Sequence, residues 1–292
     1  MPAHAGPRKV NRGSAGAFAG AGRGRQPGAG ISVYWRHSCG IYMLCPAHGR
    51  ATSGVNPEGP PDALTPVLRT EFHEPGGPAA GVRMQYDQDY FEGRTSFFYS
   101  FGGYRDVETY FGRLARWFLP HAGAGPLLDF GCAYGFLLAR FDDGRELAGC
   151  DVSAWAIQQA ERRLPHANFH VLDPSGGLPY GDGSFDAVLC TDVLEHIEPA
   201  RQPQVLGELA RVLAPGGRFC MTTPNLGTMR RWLYGRADRT EGHVGMHRVG
   251  EWARLLARHG LSVVDHWTYL HGFMPGRFRR SWLPECAIVA RK

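Results

Sequence analysis

The 292-residue chain has no apolar run near the ~20 residues that cross a bilayer. The best candidate, Ile31 to Leu44, is interrupted by Arg36 and His37, so no membrane association is expected. The start lacks the compact apolar core of a secretion signal. Acidic residues are missing from positions 1 to 57, which carry seven basic ones: Arg8, Lys9, Arg12, Arg23, Arg25, Arg36 and Arg50. The remainder holds 25 basic and 27 acidic residues, so the formal net charge of +5 comes from the tail. That balance gives the folded part no basic excess for nucleic acid. Cysteines number seven, an odd count that argues against a disulfide framework. Cys150, Cys190, Cys220 and Cys286 fall in or beside predicted strands and Cys132 in a turn. Buried thiols in a reducing, cytoplasmic setting are expected.

Residues 1 to 30 contain eight Gly and seven Ala, with too few large apolar groups to offset chain entropy. Disorder is expected there. A transit peptide, a flexible tail and an overlong assigned start all fit that composition. Cys39, Cys45 and His48 lack the fourth ligand and the spacing of a zinc site. Residues 51 to 83, rich in Pro and Gly, read as a linker. The chain therefore divides into a disordered or weakly ordered tail and linker, 1–83, and a domain, 84–292, whose 43% hydrophobic composition permits a proper core.

What that domain does contain is centred on residues 127 to 135, Leu-Leu-Asp-Phe-Gly-Cys-Ala-Tyr-Gly. Pro126 to Phe130 reads as a short buried strand. Gly131, Cys132, Ala133 and Gly135 form a tight turn, and Phe136 to Phe141 reads as an apolar helix. Such a turn lets backbone N–H groups approach a ligand closely. It departs from the dinucleotide fingerprint, because Phe136 stands where a third glycine is expected and Asp129 ends the strand. A carboxylate there would repel a pyrophosphate but could hold an ammonium group. A nucleoside ligand with an amino-acid end and no phosphate fits better: S-adenosylmethionine.

Further elements follow in order. Arg105 to Leu119 reads as an amphipathic helix with Val107, Phe111, Leu114 and Phe118 on one stripe, stopped by Pro120. Glu146 to Asp151, Asn168 to Leu172, Phe185 to Thr191 and Arg218 to Thr223 read as strands. Ala154 to Arg163, capped by Ser153, and Gln204 to Leu213 read as helices. Asp151 lies where an acid at a strand's end can accept both ribose hydroxyls; a mere capping role competes. Strands alternating with helices imply a parallel sheet covered on both faces. Residues 224 to 247 read as a polar insertion with Arg230, Arg231, Arg236, Arg239, His243 and His247, facing an acceptor. A helix from Val249 to Arg258 and strands at Leu261 to Tyr269 and Glu285 to Ala290 complete the domain.

From about residue 86 to 291, this ordered set resembles a class I S-adenosylmethionine-dependent methyltransferase of the small-molecule type, with Leu194-Glu195-His196 after the fourth strand. The resemblance implies a Rossmann-like α/β fold with a seven-stranded, mostly parallel sheet in the order 3-2-1-4-5-7-6, the last strand antiparallel. It implies a cofactor site of Asp129, Gly131, Cys132, Ala133, Gly135, Asp151 and Val152, with Asp192 near the adenine edge and Asp173 at the adenine amino group, an exposed loop aspartate being the alternative for Asp173. It also implies that the aromatic segment Tyr86 to Tyr104 folds over the cofactor as a lid; packing against the domain is the alternative. The partner is a small-molecule acceptor of natural-product, quinone or sugar type, and the oligomeric state is not indicated.

An oxygen or nitrogen acceptor needs a proton taken away. His196 is the leading candidate, with a structural role as the alternative; His243 and His247 follow. No Glu stands between those two as a zinc hydrolase requires, and no metal site is expected. The insertion's arginines could bind an acidic acceptor or be solvated. A nucleic-acid or protein methyltransferase and a cofactor-binding partner without catalysis are the competing readings. The first is weakened because Thr191-Asp-Val-Leu stands where base-amino methyltransferases carry an aromatic-proline motif. A nicotinamide oxidoreductase is disfavoured by Asp129 and Phe136.

Overall fold

A computed structural model describes residues 85–100, 102–270, 277–279 and 282–292. The expectations for residues 1–83, including the tail, the linker and the Cys39–Cys45–His48 reading, lie outside these residues. Among the described residues seven strands form one sheet: β1 (Leu127–Phe130), β2 (Leu147–Asp151), β3 (Asn168–Val171), β4 (Phe185–Thr191), β5 (Leu213–Pro224), β6 (Ser262–Tyr269) and β7 (Glu285–Arg291). Their order is β3-β2-β1-β4-β5-β7-β6. β1 to β5 run parallel, and β7 lies antiparallel to both β5 and β6.

The central strands are apolar runs because both of their faces are covered. Alternate side chains divide between two cores. Leu128, Phe130, Val188, Cys190, Phe219 and Met221 point to one side with Leu206, Leu209 and Trp252. Leu127, Ala187, Leu189 and Cys220 point to the other with Leu114, Phe118, Phe141 and Trp267. Among the described residues there are six α-helices: α1 (Gln88–Phe91), α2 (Arg113–Phe118), α3 (Ala154–Arg163), α4 (Gln202–Val212), α5 (Thr228–Thr240) and α6 (Val249–Ala257). Ser153 caps α3 by accepting from the Ala156 N–H at 3.1 Å. Cys132, Cys150, Cys190, Cys220 and Cys286 are buried free thiols. No described helix is long and apolar enough to cross a membrane.

Three local expectations are revised. The helix expected over 105–119 begins with a π-turn at Glu108–Gly112, because Val107 is still extended. The segment after the glycine turn is only a 3₁₀ turn, Leu138–Phe141, ending where Asp142 leaves helical geometry. The insertion, read as a loop, contains the 13-residue helix α5.

Candidate active site

The turn after β1 is shaped by its neighbour. The Gly131 and Cys132 N–H groups both donate to the Cys150 carbonyl, at 2.8 and 3.1 Å, and curl the chain over the tip of β2. Gly131 sits at φ +78°, and a Cβ there would lie 2.3 Å from Val193 Cγ2. Ala133 adopts φ +45°, a costly conformation for a residue with a Cβ. Its N–H donates to Asp151 Oδ2 at 3.0 Å, which helps to hold it there. Asp151 Oδ1 accepts from the Ser153 N–H at 2.9 Å. A carboxylate has about four acceptor positions, so both oxygens keep capacity for further donors.

Asp129 is 2% exposed, and its Oδ1 has no hydrogen-bond partner. Burial, with Asp151 adding repulsion, pushes its carboxyl up to about 7. Burial raises Asp151 as well, against the pull of its backbone N–H donors. Neither carboxylate forms an ion pair among the described residues. The strand tips thus offer an orphaned buried acceptor, a second carboxylate with spare lone pairs, and the half-exposed Val152 beside it. An ammonium group and vicinal hydroxyls suit this donor-poor pair; a phosphate does not.

Aromatic residues cover the turn. Tyr90, Phe91, Tyr99 and Tyr104 pack edge to face, and Tyr104 stacks on Phe136 at 5.3 Å. Glu241, at the end of α5, ties this segment down. Its carboxylate accepts from Ser96 Oγ at 3.0 Å, the Phe98 N–H at 3.0 Å and Tyr90 Oη at 3.2 Å. The sequence reading missed Glu241, since nothing local marks a polar residue whose partners lie about 145 positions earlier.

Beyond β4, Asp192 adopts φ +53°. Its oxygens accept from Thr222 Oγ1 at 3.0 Å and from the Tyr110 hydroxyl, bonds to β5 and the π-turn rather than to the Asp129–Asp151 pair. Glu195 is 1% exposed, and its Oε2 accepts from Thr223 Oγ1 at 3.1 Å. His196 Nδ1 contacts the Glu241 carbonyl at 3.1 Å, and its ring meets His243 edge to face at 4.7 Å. Burial, then the neighbouring His243, pushes His196 down to about 3. It is therefore neutral near pH 7 and a poor general base, which counts against its leading place.

His243 is held differently. Its Nδ1 lies 2.9 Å from Asp238 Oδ1, and Arg230 Nε reaches both Asp238 oxygens at 3.1 Å. Burial works to raise Asp238, but hydrogen bonds from His243 and Arg230 hold its carboxyl below the usual range. Arg230 also pairs with Glu285 and is 2% exposed, so it does not face an acceptor; Arg231, Arg236 and Arg239 remain exposed. His247 stands apart from the other two histidines: its Nε2 meets Gln202 Oε1 at 2.8 Å, and its ring packs on Trp252. Asp173 is exposed, and its Oδ1 closes a turn by accepting from the Ser175 N–H and Oγ at 2.8 and 2.7 Å. The structure thus joins Asp129, Asp151 and the glycine turn, and separately Glu195, His196 and His243. It does not bring His247 or Asp173 into either group.

Residues 128–221, from β1 to β5, match the family model of a methyltransferase domain. The chain carries a class I S-adenosylmethionine-dependent methyltransferase domain. A probable S-adenosylmethionine-dependent methyltransferase of Mycolicibacterium smegmatis is 31% identical over 174 residues, 58% of this chain and 63% of that one. The demethylmenaquinone methyltransferase of Beutenbergia cavernae is 40% identical over 78 residues, 27% of this chain and 31% of that one. The chain spans between 20% and 63% of the length of four such curated relatives. In fold, the methyltransferase domain resembles a chain of the Haloferax volcanii complex of the Trm112 methyltransferase activator and a putative methyltransferase. That likeness has TM-score 0.51 and 21% identity, over 64% of this chain and 90% of that one. The geranyl diphosphate C-methyltransferase of Streptomyces coelicolor A3(2) gives TM-score 0.50 and 18% identity, over 62% of this chain and 80% of that one.

Proposed function

We propose that the protein transfers the methyl group of S-adenosylmethionine to an oxygen, nitrogen or carbon atom of a small-molecule acceptor of natural-product, quinone or sugar type. The observation that carries this reading is the pair of buried carboxylates under the glycine turn, one of them with an unpartnered Oδ1. Asp129 would hold the amino end, directly or through water, and Asp151 the ribose hydroxyls. Gly131, Cys132, Ala133 and Gly135 shape the turn, and Val152 offers an apolar face. When bound, S-adenosylmethionine would supply a sulfonium methyl open to displacement: an electron pair of the acceptor would form the new bond to carbon while the S–C bonding pair would leave on sulfur.

The chain's own part is positioning and exclusion of water. Residues 85–100 and 102–104 act as a lid, clasped by Glu241, and must swing aside for ligands, because Asp129 and Asp151 are 2% and 9% exposed beneath it. The acceptor would approach from the side of Glu195, His196 and His243, beyond the β4 tip. That placement agrees with the rule that ligands of open parallel sheets lie outside the strands' C-terminal ends. The demethylmenaquinone methyltransferase relative supports including quinones among the acceptors.

Incubation with S-adenosylmethionine and a panel of phenols, quinols, amines and sugars, read by mass spectrometry, tests the reading. A product 14 mass units heavier than one acceptor, roughly the CH₂ a methyl adds in place of hydrogen, is the expected result. Cofactor binding without methylation of any acceptor would instead favour a binding partner without catalysis.

A further inference from the structure

We propose that Glu195, His196 and His243 bind one divalent transition-metal ion. Each offers one ligand atom, and these atoms lie within 4.8 Å of one another. Among the described residues no other three His, Cys, Asp or Glu side chains gather in this way.

The surroundings are those of a ligand set. A metal-bound histidine generally passes its other ring N–H to a carbonyl or carboxylate, which fixes tautomer and ring orientation. His196 Nδ1 faces the Glu241 carbonyl at 3.1 Å, and His243 Nδ1 faces Asp238 Oδ1 at 2.9 Å. With Nδ1 donating in both contacts, each ring keeps its Nε2 lone pair for a ligand. Asp238 is fixed in turn by Arg230, so the carboxylate–imidazole pair has a rigid base. Glu195 is 1% exposed, its Oε2 is oriented by Thr223 Oγ1 at 3.1 Å, and it forms no ion pair among the described residues. A buried carboxylate without an ion-pair partner is costly, and a cation at this point lowers that cost.

Two imidazoles and one carboxylate, without a thiolate, suit zinc, cobalt, iron(II) or manganese rather than the all-oxygen sites of calcium or magnesium. Three protein ligands leave positions open for an outside oxygen. A hydroxyl acceptor bound there would lose its proton nearer neutral pH. That use rests on the methyl-transfer reading; the binding of the ion does not. The ligands come from the turn after β4 and the loop after α5, so no compact sequence motif announces them.

The test is a titration of cobalt(II) chloride into the chelator-treated full chain, followed by visible absorption, with zinc chloride as competitor. One ion per chain is expected, with ligand-field bands and no near-ultraviolet thiolate band, which separates this site from the cysteines. Losing even an outer partner of a metal ligand costs about 10–100-fold in affinity, so Glu195→Gln, His196→Gln and His243→Gln should each cost about 100-fold or more. His266→Gln, an exposed histidine on β6, should leave affinity unchanged. A wild-type chain that takes no ion, a thiolate spectrum, or affinity untouched by all three substitutions overturns the proposal. The wild-type spectrum decides even where a variant fails to fold. S-adenosylmethionine affinity measured on the same samples shows separately whether the methyl-transfer reading stands.

Discussion

Tyr90 on α1 donates its hydroxyl to Glu241 at the end of α5, at 3.2 Å, across 151 residues of sequence. With Ser96 and the Phe98 N–H on the same carboxylate, this contact joins the aromatic segment to the end of α5, and the Glu241 carbonyl meets His196. One residue therefore ties the aromatic cover of the glycine turn to the group of Glu195, His196 and His243. Glu241→Ala removes the acceptor for four buried or part-buried donors, the Tyr90 hydroxyl, Ser96 Oγ and the Phe97 and Phe98 N–H groups, each worth about 1–3 kcal/mol when orphaned. The variant should melt several degrees lower, and amides of residues 85–100 should exchange with solvent faster than those of the sheet. Unchanged exchange in that segment would show that packing alone holds it in place.

The Asp129 carboxyl titrates near 7 in the folded chain because of burial and Asp151. In the unfolded chain it titrates near its ordinary value of about 3.9. Between these values the folded state binds the extra proton, so stability from this group is full at low pH and falls as pH rises through 7. Binding of an ammonium group favours the ionised form and should run the other way. Affinity for S-adenosylhomocysteine should rise about tenfold from pH 6 to above 7, and Asp129→Asn should flatten that rise. Calorimetry in matched buffers reads both.

Gly131 cannot accept a side chain. Gly131→Ala places a Cβ 2.3 Å from Val193 Cγ2 at φ +78°. The conformation alone costs about 1–2 kcal/mol. Adding Val193→Ala removes the collision but not the backbone strain. Chemical denaturation should therefore show partial recovery in the double variant; full recovery would deny the strain.

Arg230 is the buried centre of a charge group with Asp238 and Glu285. Arg230→Ala leaves two carboxylates buried without their cation and should destabilise by about 3–5 kcal/mol. The exposed neighbour Arg231→Ala should change stability by less than about 0.5 kcal/mol. Urea unfolding of the two variants separates an internal role from a surface one.

The strands were readable because their apolar runs are interrupted by turn residues, and each predicted strand core was found. The sheet order came with the resemblance rather than from pattern. α5 escaped detection for a physical reason. Its inward positions are Arg230, Tyr234, Ala237 and Asp238, an ion pair in place of an apolar stripe, while Trp232 faces solvent at 83% exposure. Hydrophobic periodicity is silent about a helix that buries charge. His247 misled for the related reason that a histidine's partner is invisible in sequence; here it is Gln202. Asp129 and Asp151 were placed near each other from the sequence because each lies near the C-terminal end of a strand, and β1 and β2 pair in parallel.

Titration of S-adenosylmethionine into the full chain and into Asp151→Ala, by calorimetry at one pH, bears most directly on the cofactor site. The expected result is one bound molecule per wild-type chain and a loss of about 2–4 kcal/mol in the variant, the worth of two hydrogen bonds to a charged group. Equal affinity in the two proteins, or no binding to the wild-type chain, would contradict the assignment of the crevice between β1 and β2.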